Sequence, residues 1–247
     1  MRVHAPVSNS ILSLVMAFAC AAQADEKAAE PVKVYFAWDL SLDARGHVTQ
    51  LTAIANQRTD RVPQIRERLE QAIRSWDFVS GTLDGHPAPT DTHLSVSVSL
   101  LPNDEGSFRI VFDDVRTGGR ILKGAPMHYP KSAVIEHKTG MVVVRVDYDA
   151  NGKAASATLD PNSPKAADAL VAASIDGAKK WTFQPEQVDG HGVPGTLVIA
   201  VCYSLSSMPA PMCKWNPPGK HAAIGEGESL AVNPAAHLAT DIVGHAL

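Results

Sequence analysis

Apolar residues recur with two different periods along the chain, most cleanly in its second half. Residues 141–149 (MVVVRVDYD) are β-branched and nearly alternating, which predicts a strand. Asn151-Gly152 favours a hairpin turn, after which residues 153–159 return as a weaker strand. Apolar positions in residues 166–181 follow a period near 3.6 and predict a helix, and residues 195–205 read as a buried strand.

The first half shows the same order of patterns. Residues 32–42 and 47–55 read as two strands around a turn, and residues 60–76 carry the apolar stripe of a helix. Residues 92–100 (THLSVSVSL) alternate strictly, which favours a strand with one solvated face. The patterns predict an α+β fold of two tandem two-layer modules. Each module is a small antiparallel sheet packed by one helix, in the order strand-strand-helix-strand.

Short motifs recur at one spacing and indicate an internal duplication. Two of the three matched pairs are 105 residues apart and the third is 106 apart, so they stay in register. The pairs are Trp76-Asp77-Phe78 with Trp181-Thr182-Phe183, Asp84-Gly85-His86 with Asp189-Gly190-His191, and Asp43-Ala44-Arg45-Gly46 with Asp149-Ala150-Asn151-Gly152. We interpret Trp76, Phe78, Trp181 and Phe183 as core anchors rather than ligand-stacking platforms.

The N-terminal segment indicates export. A short apolar run at residues 11–22 is followed by Ala22-Gln23-Ala24, which predicts a signal peptide over residues 1–24. An uncleaved anchor and a lipoprotein signal through Cys20 are the alternatives. Mature residues then divide into four parts: the first module at 31–102, a linker with a possible strand at 103–124, the second module at 125–213 and a flexible tail at 214–247.

Candidate chemistry is sparse. Cys202 and Cys213 remain after signal removal, and an even pair in an exported chain predicts a disulfide. Asp84 with His86, or Asp189 with His191, could form an acid–base pair or bind a metal, although turns are the favoured interpretation. No phosphate-binding loop or nucleophile motif occurs, so we expect no cofactor and no metal. A formal net charge of -4 argues against nucleic acid.

The second module resembles the C-terminal domain of TonB, the periplasmic energy-transduction protein of Gram-negative bacteria. The resemblance spans residues 125–205, and the first module resembles the family more loosely. The resemblance of the second module is carried by PMHYP at 126–130, TGMVVVRV at 139–146, the Asp149 to Gly152 turn, WTFQP at 181–185 and the Asp189-Gly190 turn before the last strand.

This resemblance implies a periplasmic location and a binding mode in which a partner segment adds as a strand to the sheet. We therefore expect a non-enzymatic protein that binds a protein or peptide of the envelope, related to outer-membrane transport. The candidate partner-binding residues are Thr196, Val198, Ala200, Cys202 and Ser204. The alternatives are a secreted hydrolase or metal-dependent enzyme that uses the Asp-Gly-His turns, and a structural envelope protein that dimerises.

Overall fold

The computed structural model describes residues 31–54, 59, 62–103, 107–205, 213–219, 223–225 and 228–247. The predicted signal peptide lies outside these residues. The helices are α1 (Pro63–Ile73), α2 (Lys131–Ile135) and α3 (Asp168–Ala178). The longer strands are β1 (Val32–Leu42), β2 (Val48–Ala53), β6 (Thr90–Pro102), β7 (Phe108–Gly118), β9 (Gly140–Tyr148), β10 (Ala154–Leu159) and β14 (Gly195–Tyr203).

Eleven shorter strands complete the described structure, which confirms a fold that mixes sheet and helix. They are β3 (Phe78–Val79), β4 (Thr82–Leu83), β5 (His86–Pro87), β8 (Arg120–Lys123), β11 (Thr182–Gln184), β12 (Gln187–Val188), β13 (His191–Gly192), β15 (Lys214–Trp215), β16 (Ile224–Gly225), β17 (Ser229–Ala231) and β18 (His237–Leu238).

The first half builds an antiparallel sheet around β1, which pairs with β2 on one side and β6 on the other. β6 pairs in turn with β7. Alternate residues of β1 point toward α1, so Phe36, Trp38 and Leu40 are almost fully buried. Trp38 also donates its indole N–H to Glu70 of α1 at 3.1 Å, which gives the buried ring a polar partner.

The second half forms a four-stranded sheet in the order β10-β9-β14-β17. All pairs in it are antiparallel, and β9 and β14 pair along their full nine residues. Val142, Val144 and Val146 of β9 face a core that includes Leu170 and Ala178 of α3. Because α3 closes only this face, the opposite face needs another cover.

That cover comes from residues 214–247, which the sequence pattern predicts to be a flexible tail. Trp215, Ile224 and Leu230 bury against Met141 and Val143 on the face of the sheet opposite α3. The described residues of the tail form β15 to β18, none longer than three residues. Strands this short leave no periodic pattern in the sequence, which explains why the tail was not predicted as ordered structure.

The second face of β6 also differs from the prediction. Ser95 and Ser99 were expected to lie on a solvated face, but they are 9% and 7% exposed. Ser99 donates a hydrogen bond to Asp113, with its oxygen 2.8 Å from Oδ2. The alternation correctly predicts a strand, but the low exposure of Ser95 and Ser99 depends on partners far along the chain, such as Asp113, that local patterning does not reveal.

The two halves share main-chain pairing. Gln187 and Val188 of β12 pair with Asp91 and Thr90 at the start of β6, so the first sheet continues into the second half. β8 pairs with β11, and β18 of the tail pairs with β3.

Among the described residues, no helix is long and apolar enough to cross a membrane.

Candidate binding edge

The outer edge of β14 belongs to the strand that the sequence predicts to bind a partner. One side of β14 is paired with β9 throughout, and the other side pairs with β17. The N–H of Val232 donates to the carbonyl of Thr196 at 3.0 Å. Since main-chain groups alternate between the two sides of a strand, those of Thr196, Val198, Ala200, Cys202 and Ser204 face this outer edge.

β17 covers the middle of the edge. Leu197, Val198 and Ile199 pair with Ala231, Leu230 and Ser229 respectively. Among the described residues, no strand pairs with the outer side of residues 200–203, and Leu205, two positions beyond β14, is 46% exposed. As described, β17 therefore covers only part of this edge.

Side chains of β14 pack in a core on each face of the sheet. Leu197, Ile199, Val201 and Tyr203 lie in the core beneath α3, and the Tyr203 hydroxyl is 3.0 Å from that of Ser174. Val198 and Ala200 lie in the core covered by the tail. What this edge offers to another molecule is therefore main-chain hydrogen bonding, which recognises an extended peptide rather than a small ligand.

A disulfide fixes the far end of the edge. Cys202 and Cys213 are bonded, as predicted, with their Cα atoms 5.4 Å apart. The bond holds the start of the described tail against β14. From there Trp215 packs on the sheet and donates its indole N–H to the carbonyl of Asn162 at 3.1 Å.

The other end is held by Asp147 of β9. Its carboxylate accepts hydrogen bonds from Ser156 at 2.6 Å and from Thr196 at 2.7 Å, which links β10, β9 and β14. These two hydrogen bonds hold the pKa of Asp147 below its usual value.

The predicted aromatic anchors lie in the two cores, although not equally deep. Phe78, Trp181 and Phe183 are 3%, 8% and 2% exposed, and the Trp181 indole donates to the carbonyl of Ala125 at 3.0 Å. Trp76 is partly buried, with its ring edge-on to Phe112 at a centroid distance of 5.5 Å.

The repeated turns make the same contact in both halves. Asp43 Oδ1 accepts from the N–H groups of Arg45 and His47, and Asp149 Oδ1 accepts from those of Asn151 and Lys153. The glycine that ends each turn receives a hydrogen bond on its carbonyl. Phe78 donates to Gly46 at 3.2 Å, and Phe183 donates to Gly152 at 2.8 Å.

The Asp-Gly-His motifs are hairpin turns. Asp84 and Gly85 have φ of 52° and 80°, and Asp189 and Gly190 have φ of 52° and 75°, the signs that a type I′ turn requires. Asp84, His86, Asp189 and His191 are all exposed. Within the described ranges, no three His, Cys, Asp or Glu side chains gather as a metal site.

Glu186 is a buried contact that sequence reasoning missed. Its carboxylate accepts from the Thr92 hydroxyl at 2.7 Å and from the N–H groups of Ala235 and Ala236 at 2.6 and 3.2 Å. Burial raises the pKa of Glu186, although these three hydrogen bonds oppose the shift. The donors come from distant parts of the chain, so no local signal identifies the contact.

His93 is a second buried group outside the predictions. Its Nδ1 lies 3.8 Å from Asp39 Oδ1, and Arg120 Nε lies 3.6 Å from the same oxygen. Burial and the Arg120 guanidinium lower the pKa of His93 to about 4, so the ring is neutral near pH 7.

Comparisons with known proteins match the second half. Residues 125–205 match the family model described as Gram-negative bacterial TonB protein C-terminal. Protein TonB from two strains of Xanthomonas campestris pv. campestris, B100 and ATCC 33913, is 31% identical over 81 residues. That match covers 33% of this chain and 35% of the relative, so it spans about a third of either protein. No solved structure matches the chain significantly. Residues 125–205 therefore form a TonB C-terminal domain.

Proposed function

We propose that this chain is a non-enzymatic periplasmic protein that binds an extended segment of an envelope protein along the outer edge of β14, in a process related to outer-membrane transport. The observation that carries the proposal is the pairing of β14 with β17. This pairing supports the proposal, because β17 adds to the edge of β14 through main-chain hydrogen bonds as an incoming segment would.

The proposal includes a duplication, in which the first module is a diverged copy of the second. Support comes from the corresponding contacts of Gly46 with Phe78 and of Gly152 with Phe183. The strand orders β2-β1-β6-β7 and β10-β9-β14-β17 also correspond. In the first half, β7 occupies the place that β17 takes in the second. The second module, which carries the family match, is the better candidate for partner binding.

A binding role is favoured over an enzyme by the positions of the titratable residues. Asp189 and His191, the alternative catalytic pair, are exposed on a two-residue turn whose geometry accounts for the motif. The same proposal includes export through residues 1–24 and residence in the periplasm. The family acts in the envelope, and a disulfide such as Cys202–Cys213 persists in oxidising compartments.

Site-specific photocrosslinking in cells tests the proposal. Leu205 follows β14 and is 46% exposed, while Leu159 ends β10 at the opposite edge of the same sheet and is 43% exposed. Benzoylphenylalanine introduced at either position thus replaces the same residue type at matched exposure. We expect crosslinks to an outer-membrane protein from position 205 and none above background from position 159.

Equal crosslinking from the two positions would place the partner elsewhere on the module. Crosslinks from position 159 alone would assign binding to the β10 edge and remove β14 from the account. For each of the two positions, the cellular level and the protease resistance of the variant show that the chain is folded.

A further inference from the structure

The tail adds main-chain hydrogen bonds to three strand edges. β17 pairs with β14, and β18 pairs with β3 through His237 with Val79 and Leu238 with Phe78. Beyond β18, Phe112 of β7 donates to the carbonyl of His245, and Leu247 donates to that of Ile110. The same tail therefore occupies the edge proposed to bind a partner and holds itself to the first half of the chain.

The contact of β17 with β14 is the smallest part of the second sheet. Within the part of the chain that the structure describes, β17 pairs three residues with β14, whereas β9 pairs nine. A strand attached by so few hydrogen bonds can separate by local opening while the β9–β14 ladder remains intact.

Both flanks of β17 are anchored. The Cys202–Cys213 disulfide holds the tail on one side, and the hydrogen bonds of Ala235 and Ala236 to Glu186 hold it on the other. These anchors keep β17 beside its edge after an opening. The strand therefore competes with any incoming peptide at a high effective concentration.

The residues of β17 show which side chains the edge accepts. Leu230 is 9% exposed and packs in the core that contains Val198 and Trp215. Ala231 faces the other way and approaches Gly118 so closely that a Cβ added to that glycine would lie 2.3 Å from the alanine methyl. The edge therefore favours a large apolar residue followed by a small one.

We propose that β17 is an internal competitor for the partner-binding edge of β14. The partner that displaces it is an extended antiparallel segment with a large apolar residue at the position of Leu230 and a small residue at that of Ala231. The proposal rests on the proposed function for its biological role, because it assumes that a partner uses this edge.

Peptide binding to the full-length chain tests the competition. The probe is a fluorescent peptide of residues 228–233 (ESLAVN), measured by anisotropy. Because the N–H of Val232 points at β14, the N–H of Leu230 also does, whereas that of Ser229 points away. Leu230→Pro removes a hydrogen bond to β14, and Ser229→Pro is the matched control that retains it.

We expect the L230P chain to bind the peptide at least tenfold more tightly than the wild-type chain does, and S229P to resemble wild type. A peptide with aspartate at the position of Leu230 should lose this binding. Equal affinity of L230P and wild type, or no binding by a folded L230P chain, would overturn the proposal. A change of L230P to a dimer would assign the edge to the tail of a second copy and would likewise overturn it.

Amide hydrogen exchange on the wild-type chain gives a second test that needs no variant. We expect the Leu230 amide to exchange at least tenfold faster than amides of β9 bonded to β14. Equal protection of the Leu230 amide and the β9 amides would mean that β17 opens only together with the β9–β14 ladder. That result would reject the displacement of β17 by a partner. If the peptide results hold while photocrosslinking at position 205 fails, the competition stands and the proposed function does not.

Discussion

At the scale of single residues, two glycines in turns differ in one respect: the first packs against the main chain of Phe183, and the second packs against nothing. Gly152 has φ of +77°, and a Cβ built on it would lie 2.0 Å from the carbonyl oxygen of Phe183. Gly190 has nearly the same φ, +75°, but a Cβ there meets nothing within 4 Å. The two positions separate the effect of backbone conformation from the effect of close packing.

Gly152→Ala is therefore expected to destabilise the chain more than Gly190→Ala. A left-handed conformation alone costs about 1 to 3 kcal/mol for a residue with a side chain, and both variants incur that cost. At position 152 the clash with the Phe183 carbonyl adds to it. Urea unfolding of both variants measures the difference, and equal losses would show that the contact with Phe183 contributes nothing.

His93 predicts a specific dependence of stability on pH. Its pKa of about 4 in the folded chain lies below the usual 6.5, so between these values the unfolded chain binds a proton that the folded chain does not. Stability should fall as pH drops from 6.5 toward 4, by up to about 3 kcal/mol from this group.

His93→Gln should remove that contribution. The free energy of unfolding, measured for both chains at pH 7 and pH 4.5, should fall less for H93Q than for wild type. Carboxylates such as Asp147 contribute to the acid sensitivity of both chains and cancel in the comparison. An identical loss in the two chains would refute the assignment to His93.

At the scale of elements, the predicted strands and helices correspond to observed ones where the pattern was long. Residues 141–149 became β9, and the helix predicted at 166–181 became α3 with shorter ends. The tail could not be predicted, because its two- and three-residue strands gain their order from the surfaces they cover. Once β14 is placed, strand geometry determines which of its main-chain groups face the outer edge, but the presence of β17 does not follow from the sequence.

The disulfide is the element-scale feature whose loss can be measured most simply. The double substitution Cys202→Ser and Cys213→Ser removes a crosslink between residues that are 11 positions apart in sequence. On the chain-entropy model this should cost about 2 to 3 kcal/mol. Urea unfolding of the double variant should match that of reduced wild type, and a variant as stable as oxidised wild type would contradict the prediction.

At the scale of the whole molecule, the two halves and the tail meet around Glu186. Its carboxylate joins Thr92 of β6 to the main chain of Ala235 and Ala236, while β12 beside it pairs with β6. Sequence periodicity indicated two units but could not show this junction, because its partners are far apart along the chain. The fold thus brings the TonB C-terminal domain, the first half and the tail into contact at one buried carboxylate.

We propose one edge with two occupants: the partner binds along the outer edge of β14, and β17 limits access to it. The most direct measurement compares crosslinking yields from positions 205 and 159, in the wild-type background and with Leu230→Pro. We expect crosslinks from position 205 that increase with L230P, and none above background from position 159 in either background. Equal yields from the two positions, unchanged by L230P, would contradict it.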